Sequence, residues 1–391
     1  MARRRTVPIT GRVLAWAIES SGLRPETIAK RLRVSVEQLS EWQDERSAPT
    51  VGQLKRLADV LNRPTAFFML PSPPDGPSVT AFFRAAQSDA DRTPTPVELE
   101  WIEKARRLQE VTAWASRQLE LGLADVPTFH LRVSPERAAD RARARLGIAV
   151  HEQLAWTNAV EAFQSWTAAL ERQRVVVFRL PMGKEAARGF ALWDDWAPVA
   201  VINTAYRWTE QRIFTLLHEY GHLTLRDDAV DGEVIHRPDM TDSPDVESWC
   251  HRFAAAVLLP AHELSTFLAN MGYSSRDLVT DVDDVEFISS SFKVSLRATA
   301  IRLIHLQRAH QSLYDKVKEI ATVRDYQRSP GRSREPRRRP RIRLDQYGRN
   351  VAETLAEAVT EGVMSEFDLA DYLDLSLDDL PGFYGQLGLT S

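Results

Sequence analysis

Residues 209–224 read Thr-Glu-Gln-Arg-Ile-Phe-Thr-Leu-Leu-His-Glu-Tyr-Gly-His-Leu-Thr. On an α-helix, residues four apart lie one above the other, so His218 and His222 share a face and can present two ring nitrogens to one metal ion. The stretch Arg212 to Leu217 is amphipathic and Thr209 can cap its start, so the spacing predicts a helix beneath the motif. A catalytic zinc site takes three protein ligands and keeps one position open. A third ligand is therefore expected downstream.

The stretch Glu247-Ser-Trp-Cys-His-Arg-Phe-Ala-Ala-Ala-Val-Leu-Leu-Pro260 reads as a helix that Pro260 stops. Glu247, Cys250 and His251 fall within about one helical turn, and each is a chemically acceptable zinc ligand. Cys250 continues the apolar row of Ala254 and Val257 and reads as a small buried residue. His251 reads as a supporting or capping group. Glu247, at the helix start, projects beyond the packed row and is the expected ligand. Glu219 sits on another side of its turn from the two histidines, so it is expected to move protons rather than to coordinate. Tyr206, Tyr220 and His236 are all open as oxyanion partners, and the residues do not choose among them.

Strand signals are confined to Val175-Val-Val-Phe178, Gly189-Phe-Ala-Leu-Trp193 and Pro198-Val-Ala-Val-Ile-Asn203, which read as a small antiparallel sheet. Pro198 to Ile202, taken as a sheet edge, could align an extended substrate by strand addition. Helical periodicity fills residues 97–170, about 209–325 and 350–389. The expected fold is mainly α with a small antiparallel sheet, an α+β class, and a zincin-like middle domain.

Residues 1–71 alternate short amphipathic helices with turns. Pro25 begins a helix whose buried side carries Ile28, Ala29 and Leu32; Arg33-Val34-Ser35 turns the chain, and Ser35 can cap a helix over Val36 to Gln43. Such a pair can insert its second helix into a major groove. Gln38, Ser40 and Gln43 could then read base edges of double-stranded DNA, while Arg33 and Arg46 hold phosphates, together with Arg3 to Arg5. Glu37 and Glu41 on the same helix repel phosphates, which leaves protein docking as the alternative.

The chain has 391 residues, enough for two or three domains, and its 43% hydrophobic and 27% charged content excludes wholesale disorder. Its apolar runs fall far short of the roughly 18 residues a membrane span needs. A lone cysteine, Cys250, permits neither an internal disulfide nor a multi-cysteine metal site, which fits a reducing, cytoplasmic setting. The net charge of -4 hides an asymmetry: residues 1–71 carry 12 basic against 7 acidic side chains, and residues 324–349 carry 10 arginines against 3 acids. The second strip has the Pro/Gly/Arg composition of a connector. The expected layout is a helix-turn-helix domain over 1–71, a linker over 72–96, a peptidase domain over 97–325, a linker over 326–349 and a small helical region over 350–391.

Several of these segments together carry a resemblance. Val79-Thr-Ala-Phe-Phe-Arg84, Gly189-Phe190 with Val201-Ile-Asn203, Phe214 to His222, and Glu247 through Phe253-Ala-Ala to Leu258-Leu-Pro260 resemble the ImmA/IrrE metallopeptidases, and Phe292-x-Val294-Ser295 extends the likeness. The head resembles the phage-repressor-like, XRE-type helix-turn-helix family that such peptidases often carry. The resemblance implies a zinc-dependent endopeptidase that cleaves a transcriptional repressor, in a prophage, mobile-element or stress-response setting. It implies His218, His222 and Glu247 as metal ligands and Glu219 as the catalytic acid/base. His251 departs from the asparagine that many members have there. The alternative is a DNA-binding regulator, or a toxin-antitoxin component, whose peptidase-like domain acts as sensor or scaffold; the intact motif favours catalysis.

Overall fold

Short helices separated by capping and turn residues begin the chain: α1 (Gly11–Ser21), α2 (Pro25–Leu32), α3 (Val36–Gln43) and α4 (Val51–Val60), then a 3-10 turn at Thr65–Met69. The computed structural model describes residues 6–21, 25–61, 63, 65–73, 96–226, 244–327 and 338–389. Arg3 to Arg5, the Val79–Arg84 segment, His236, most of the first expected linker and residues 328–337 of the second lie outside them. The chain divides into two compact units, one of residues 1–104 with 238–242, the other of residues 105–237 with 243–391. In the first unit, Arg33 takes a left-handed φ of 58° to turn the chain, and the Ser35 hydroxyl accepts from the Gln38 amide to start α3. Leu14, Ile28, Leu32, Leu39, Trp42, Leu57 and Phe68 form its core. The Arg63 guanidinium lies 5.0 Å from both the Trp16 and Phe67 rings.

α5 (Pro96–Gln118) begins in the first unit and ends in the second, which continues with α6 (Pro135–Leu146), α7 (Val150–Ala155) and α8 (Ala159–Arg172). Ser134 caps α6 and Asn158 caps α8, while Gly147 ends α6 in the left-handed region. Three strands follow, β1 (Val176–Leu180), β2 (Gly189–Leu192) and β3 (Val199–Asn203), and then α9 (Thr209–Thr224). Thr209 is the first residue of α9 rather than its cap; Trp208 takes that place and makes no capping bond. The rest of the unit comprises α10 (Pro244–Leu258), α11 (Ala261–Asn270), α12 (Val282–Phe292), α13 (Leu296–His305), α14 (Gln311–Gln327), α15 (Arg339–Thr360), α16 (Glu366–Tyr372) and α17 (Leu380–Leu387). Mainly helical with one small sheet, this is the expected α+β class.

The sheet corrects one expectation. Its order is β1-β3-β2, with β1 parallel and β2 antiparallel to β3, so it is mixed rather than antiparallel. β3 is therefore the central strand, buried at all five positions, and cannot serve as the edge expected of residues 198–202. A strand covered on both faces has no use for polar alternation, and Val199-Ala-Val-Ile-Asn203 shows none. Among the described residues the edge next to α9 is β2.

The expected linker over 326–349 is also corrected, from Arg339 onward. Pro340 occupies the first turn of α15, where a missing amide costs nothing, so the proline does not exclude the helix. α15 packs on β1, with Tyr347 edge-on to Phe178 and the Asn350 amide donating to the Glu171 carbonyl at 2.8 Å. It bends at Gly348, whose φ of 79° and ψ of 164° only glycine accepts at little cost. Residues from 350 onward thus begin as part of the second unit's own core.

α10 packs between α6 and α9, and three buried side chains hold its end. Arg143 donates to the Val257 carbonyl at 2.6 Å, Gln153 to the Leu258 carbonyl at 3.0 Å, and Arg302 to the Leu259 carbonyl at 2.9 Å. Carbonyls at a helix C-terminus lack partners within the helix, and cationic donors complement the negative end of its dipole. Arg302 also forks onto Glu136 at 2.6 and 2.7 Å. Replacing Arg302 by Ala should lower unfolding free energy by about 3–5 kcal/mol, because a buried carbonyl loses its donor and a cavity opens. Urea denaturation of the two proteins measures this.

Candidate metal centre

α9 and α10 meet at Gly221, where an added Cβ would lie 3.1 Å from the Phe253 ring and 3.4 Å from Cys250. That close approach brings Glu247 of α10, one turn in from its Pro244 start, to the two histidines of α9. The His218 and His222 Nε2 atoms are 3.1 Å apart; Glu247 Oε2 is 3.2 Å from the first and Oε1 3.3 Å from the second. Tetrahedral zinc with bonds near 2.1 Å places its ligand atoms about 3.4 Å apart, so the three groups already stand close to the edges of such a site. The donor set, two imidazoles and one carboxylate, is the type found in catalytic sites with one open position. Among the described residues these three are the one cluster of potential metal ligands.

Electrostatics agree with that geometry. Burial disfavours the charged form of Glu247, but hydrogen bonds from His218 and His222 outweigh it and hold the carboxyl far below its usual range. Burial lowers the His218 pKa, which disfavours the imidazolium form. Burial, with the charges of Glu247 and Glu219, pushes the Cys250 thiol well above its ordinary value, so a fully buried Cys250 stays protonated and apart from the cluster. His251 is on the exposed side of α10, its Nδ1 bonded to the Glu247 carbonyl at 2.7 Å and its ring centroid 4.4 Å from that of His218. It braces the ligands from outside.

Glu219 is buried between α9 and β2. A Cβ at Gly189 would lie 2.8 Å from its Oε1 and 2.6 Å from the Val201 carbonyl, so only glycine lets the edge strand reach this carboxyl. Burial and the Glu247 charge push the Glu219 carboxyl well above its ordinary value. Asn203 was quoted in the sequence resemblance without a role. Its buried side chain accepts from the Met182 and Ala205 amides and donates to the Gly183 and Ala187 carbonyls, fixing the loop that leads into β2. Of the three oxyanion candidates, Tyr220 is fully buried and donates to Gln173 at 2.6 Å, while the Tyr206 hydroxyl is bonded to the Lys184 and Ala186 carbonyls. His236 lies outside the described residues.

In the head, Leu39 and Trp42 turn α3's apolar side inward, leaving Val36 and Glu37 exposed and Gln38, Ser40 and Gln43 half-exposed. Arg33 is exposed at the turn between α2 and α3. Arg46 is exposed and paired with Asp44 at 2.6 Å. The Glu41 carboxylate accepts from the Ser47 hydroxyl at 3.1 Å, and the Glu45 carboxylate accepts from the first amide of α1 at 2.7 Å, so both acids are turned to internal use.

Residues 170–304 match the family model of the IrrE N-terminal-like domain, Peptidase_M78. The model is that of a metallopeptidase family, and the matched span includes the sheet, His218, Glu219, His222 and Glu247. No curated protein and no solved structure is significantly similar to the chain. No helix among the described residues is long and apolar enough to cross a membrane.

Proposed function

We propose that this chain is a zinc-dependent endopeptidase that regulates transcription by cleaving a repressor protein. The observation that carries the proposal is the triangle of His218, His222 and Glu247 with Glu219 beside it and outside it. His218, His222 and Glu247 would hold the ion. When bound, zinc supplies Lewis acidity, polarising a scissile carbonyl and acidifying water. The Glu219 carboxylate takes the proton of the attacking water and returns it to the leaving amine nitrogen. β2 is paired on one side by β3, and its other edge offers main-chain groups to an extended substrate. The Asn203 amide donates to the Arg188 carbonyl, and hydrogen-bonded pairs alternate along an antiparallel ladder, so the main-chain groups of β2 that face the free edge are those of Gly189 and Ala191. Main-chain pairing favours flexible, extended segments as sites of cleavage. Incubating the zinc-loaded chain with the repressor encoded beside it tests the reading; two fragments are expected, and an intact repressor opposite a fully loaded enzyme contradicts it.

The head is assigned to double-stranded DNA through Gln38, Ser40 and Gln43, with Arg33 and Arg46 on phosphates. Its affinity should fall by about 0.9 log units per log unit of salt for each phosphate neutralised, and Gln38→Ala or Gln43→Ala should relax sequence preference. Fluorescence anisotropy across a salt series reads both effects. A second reading, docking of the repressor itself, is favoured by Glu37: its own backbone amide and the Ser35 hydroxyl hold its carboxyl below the ordinary value, so a full negative charge stands exposed on α3. Full-length protein that captures the repressor and ignores DNA at low salt decides for docking.

A further inference from the structure

A groove of about 640 Å³ opens in the second unit, lined by Trp208 and Gln211 near the start of α9, Glu286 and Phe287 of α12, and Lys293 and Arg297 around the start of α13. The volume is that of a ligand site rather than a packing defect. Phe287 packs one side on the Phe267 ring, with centroids 5.7 Å apart, and at 55% exposed leaves the rest of its ring open in the groove. The groove has a fixed relation to the metal centre. Gln211, Thr215, His218 and His222 follow one another at helical spacing along one face of α9. Gln211 precedes His218 by seven residues, a rise of about 10 Å along the axis. An extended chain covers that distance in about three residues. Arg188, which leads into the β2 edge, is bonded to the Gln211 side chain at 3.5 Å, so the strand edge and the groove adjoin.

We propose that this groove is a second binding region for the polypeptide substrate, taking residues about three or more positions from the scissile bond. The inference rests on the peptidase reading and adds a specificity element to it. The occupant is an extended segment with an aromatic or long aliphatic side chain that covers Phe287. Its polar groups meet a lining that holds Gln211 and side chains of both signs, Glu286, Lys293 and Arg297. A chain laid on the β2 edge meets the groove where Arg188 bonds Gln211. Binding energy gathered there, away from the reacting bond, selects among sequences that main-chain pairing alone cannot distinguish.

The test uses the full-length, zinc-loaded Glu219→Gln protein as bait for a phage-displayed library of random dodecapeptides. The library should enrich peptides with a bulky apolar residue, and a synthetic copy of an enriched peptide should bind at least tenfold more weakly when Phe287→Ala is added. Phe287 is exposed enough for that change to spare the fold, which circular dichroism checks. No enrichment, or equal affinity for both proteins, overturns the proposal. The two readings separate in a companion assay. Wild-type protein that leaves the peptide intact while Phe287→Ala weakens binding keeps the groove and removes the peptidase reading. Cleavage with unchanged Phe287→Ala affinity does the reverse.

Discussion

Glu219→Gln is expected to retain its zinc and its fold and to lose cleavage by about three orders of magnitude or more in kcat/KM. The substitution is nearly isosteric, and Glu219 touches the edge strand at Gly189 rather than the ligand triangle, so neither packing nor metal affinity has reason to change. What disappears is the carboxylate that accepts a proton from water and delivers it to the leaving amine. General acid-base groups contribute roughly 10²–10⁴ in rate, and here one residue serves both halves of the reaction. Cleavage within a few-fold of wild type at matched zinc content would remove Glu219 from the mechanism.

Glu247→Ala is expected to lose both metal and activity. The two histidines alone leave a site short of the three protein ligands that hold catalytic zinc, and the missing carboxylate also carried the charge that favours a dication. Occupancy after dialysis should fall from near one ion per chain to near zero. Cys250→Ala should keep both properties, because the thiol is buried and protonated. His251→Asn should change metal affinity by no more than about tenfold, since the imidazole is not one of the three clustered ligands and its Nδ1 bonds the Glu247 carbonyl. Full occupancy in Glu247→Ala together with loss in His251→Asn would identify a different third ligand.

The parts of this centre that could be read from the chain are those governed by local periodicity. The i,i+4 spacing of His218 and His222 needs only a helix, and the apolar row through Cys250, Ala254 and Val257 separates Glu247 from its neighbours in the same way. The sheet was misread because strand order is a property of chain crossings, not of strands. One signal was present: Val199-Ala-Val-Ile-Asn203 lacks the alternation of an edge strand, as a central strand covered on both faces must. The start of α15 was misread because proline was weighed as a breaker, although at a helix's first turn it is favourable. The clamps on α10 lay beyond any local reading. Arg143, Gln153 and Arg302 look like polar residues of ordinary amphipathic helices, and their acceptors lie 114, 105 and 43 residues away.

Metal analysis of the purified full-length chain, paired with cleavage of the repressor before chelation, after it, and after zinc is restored, addresses the central claim most directly. The account predicts close to one zinc per chain, loss of cleavage as the metal is withdrawn, and recovery when zinc is returned to wild-type protein but not to Glu247→Ala. A chain that binds no zinc, or one that cleaves equally well without it, would contradict the assignment of His218, His222 and Glu247 as a catalytic metal centre.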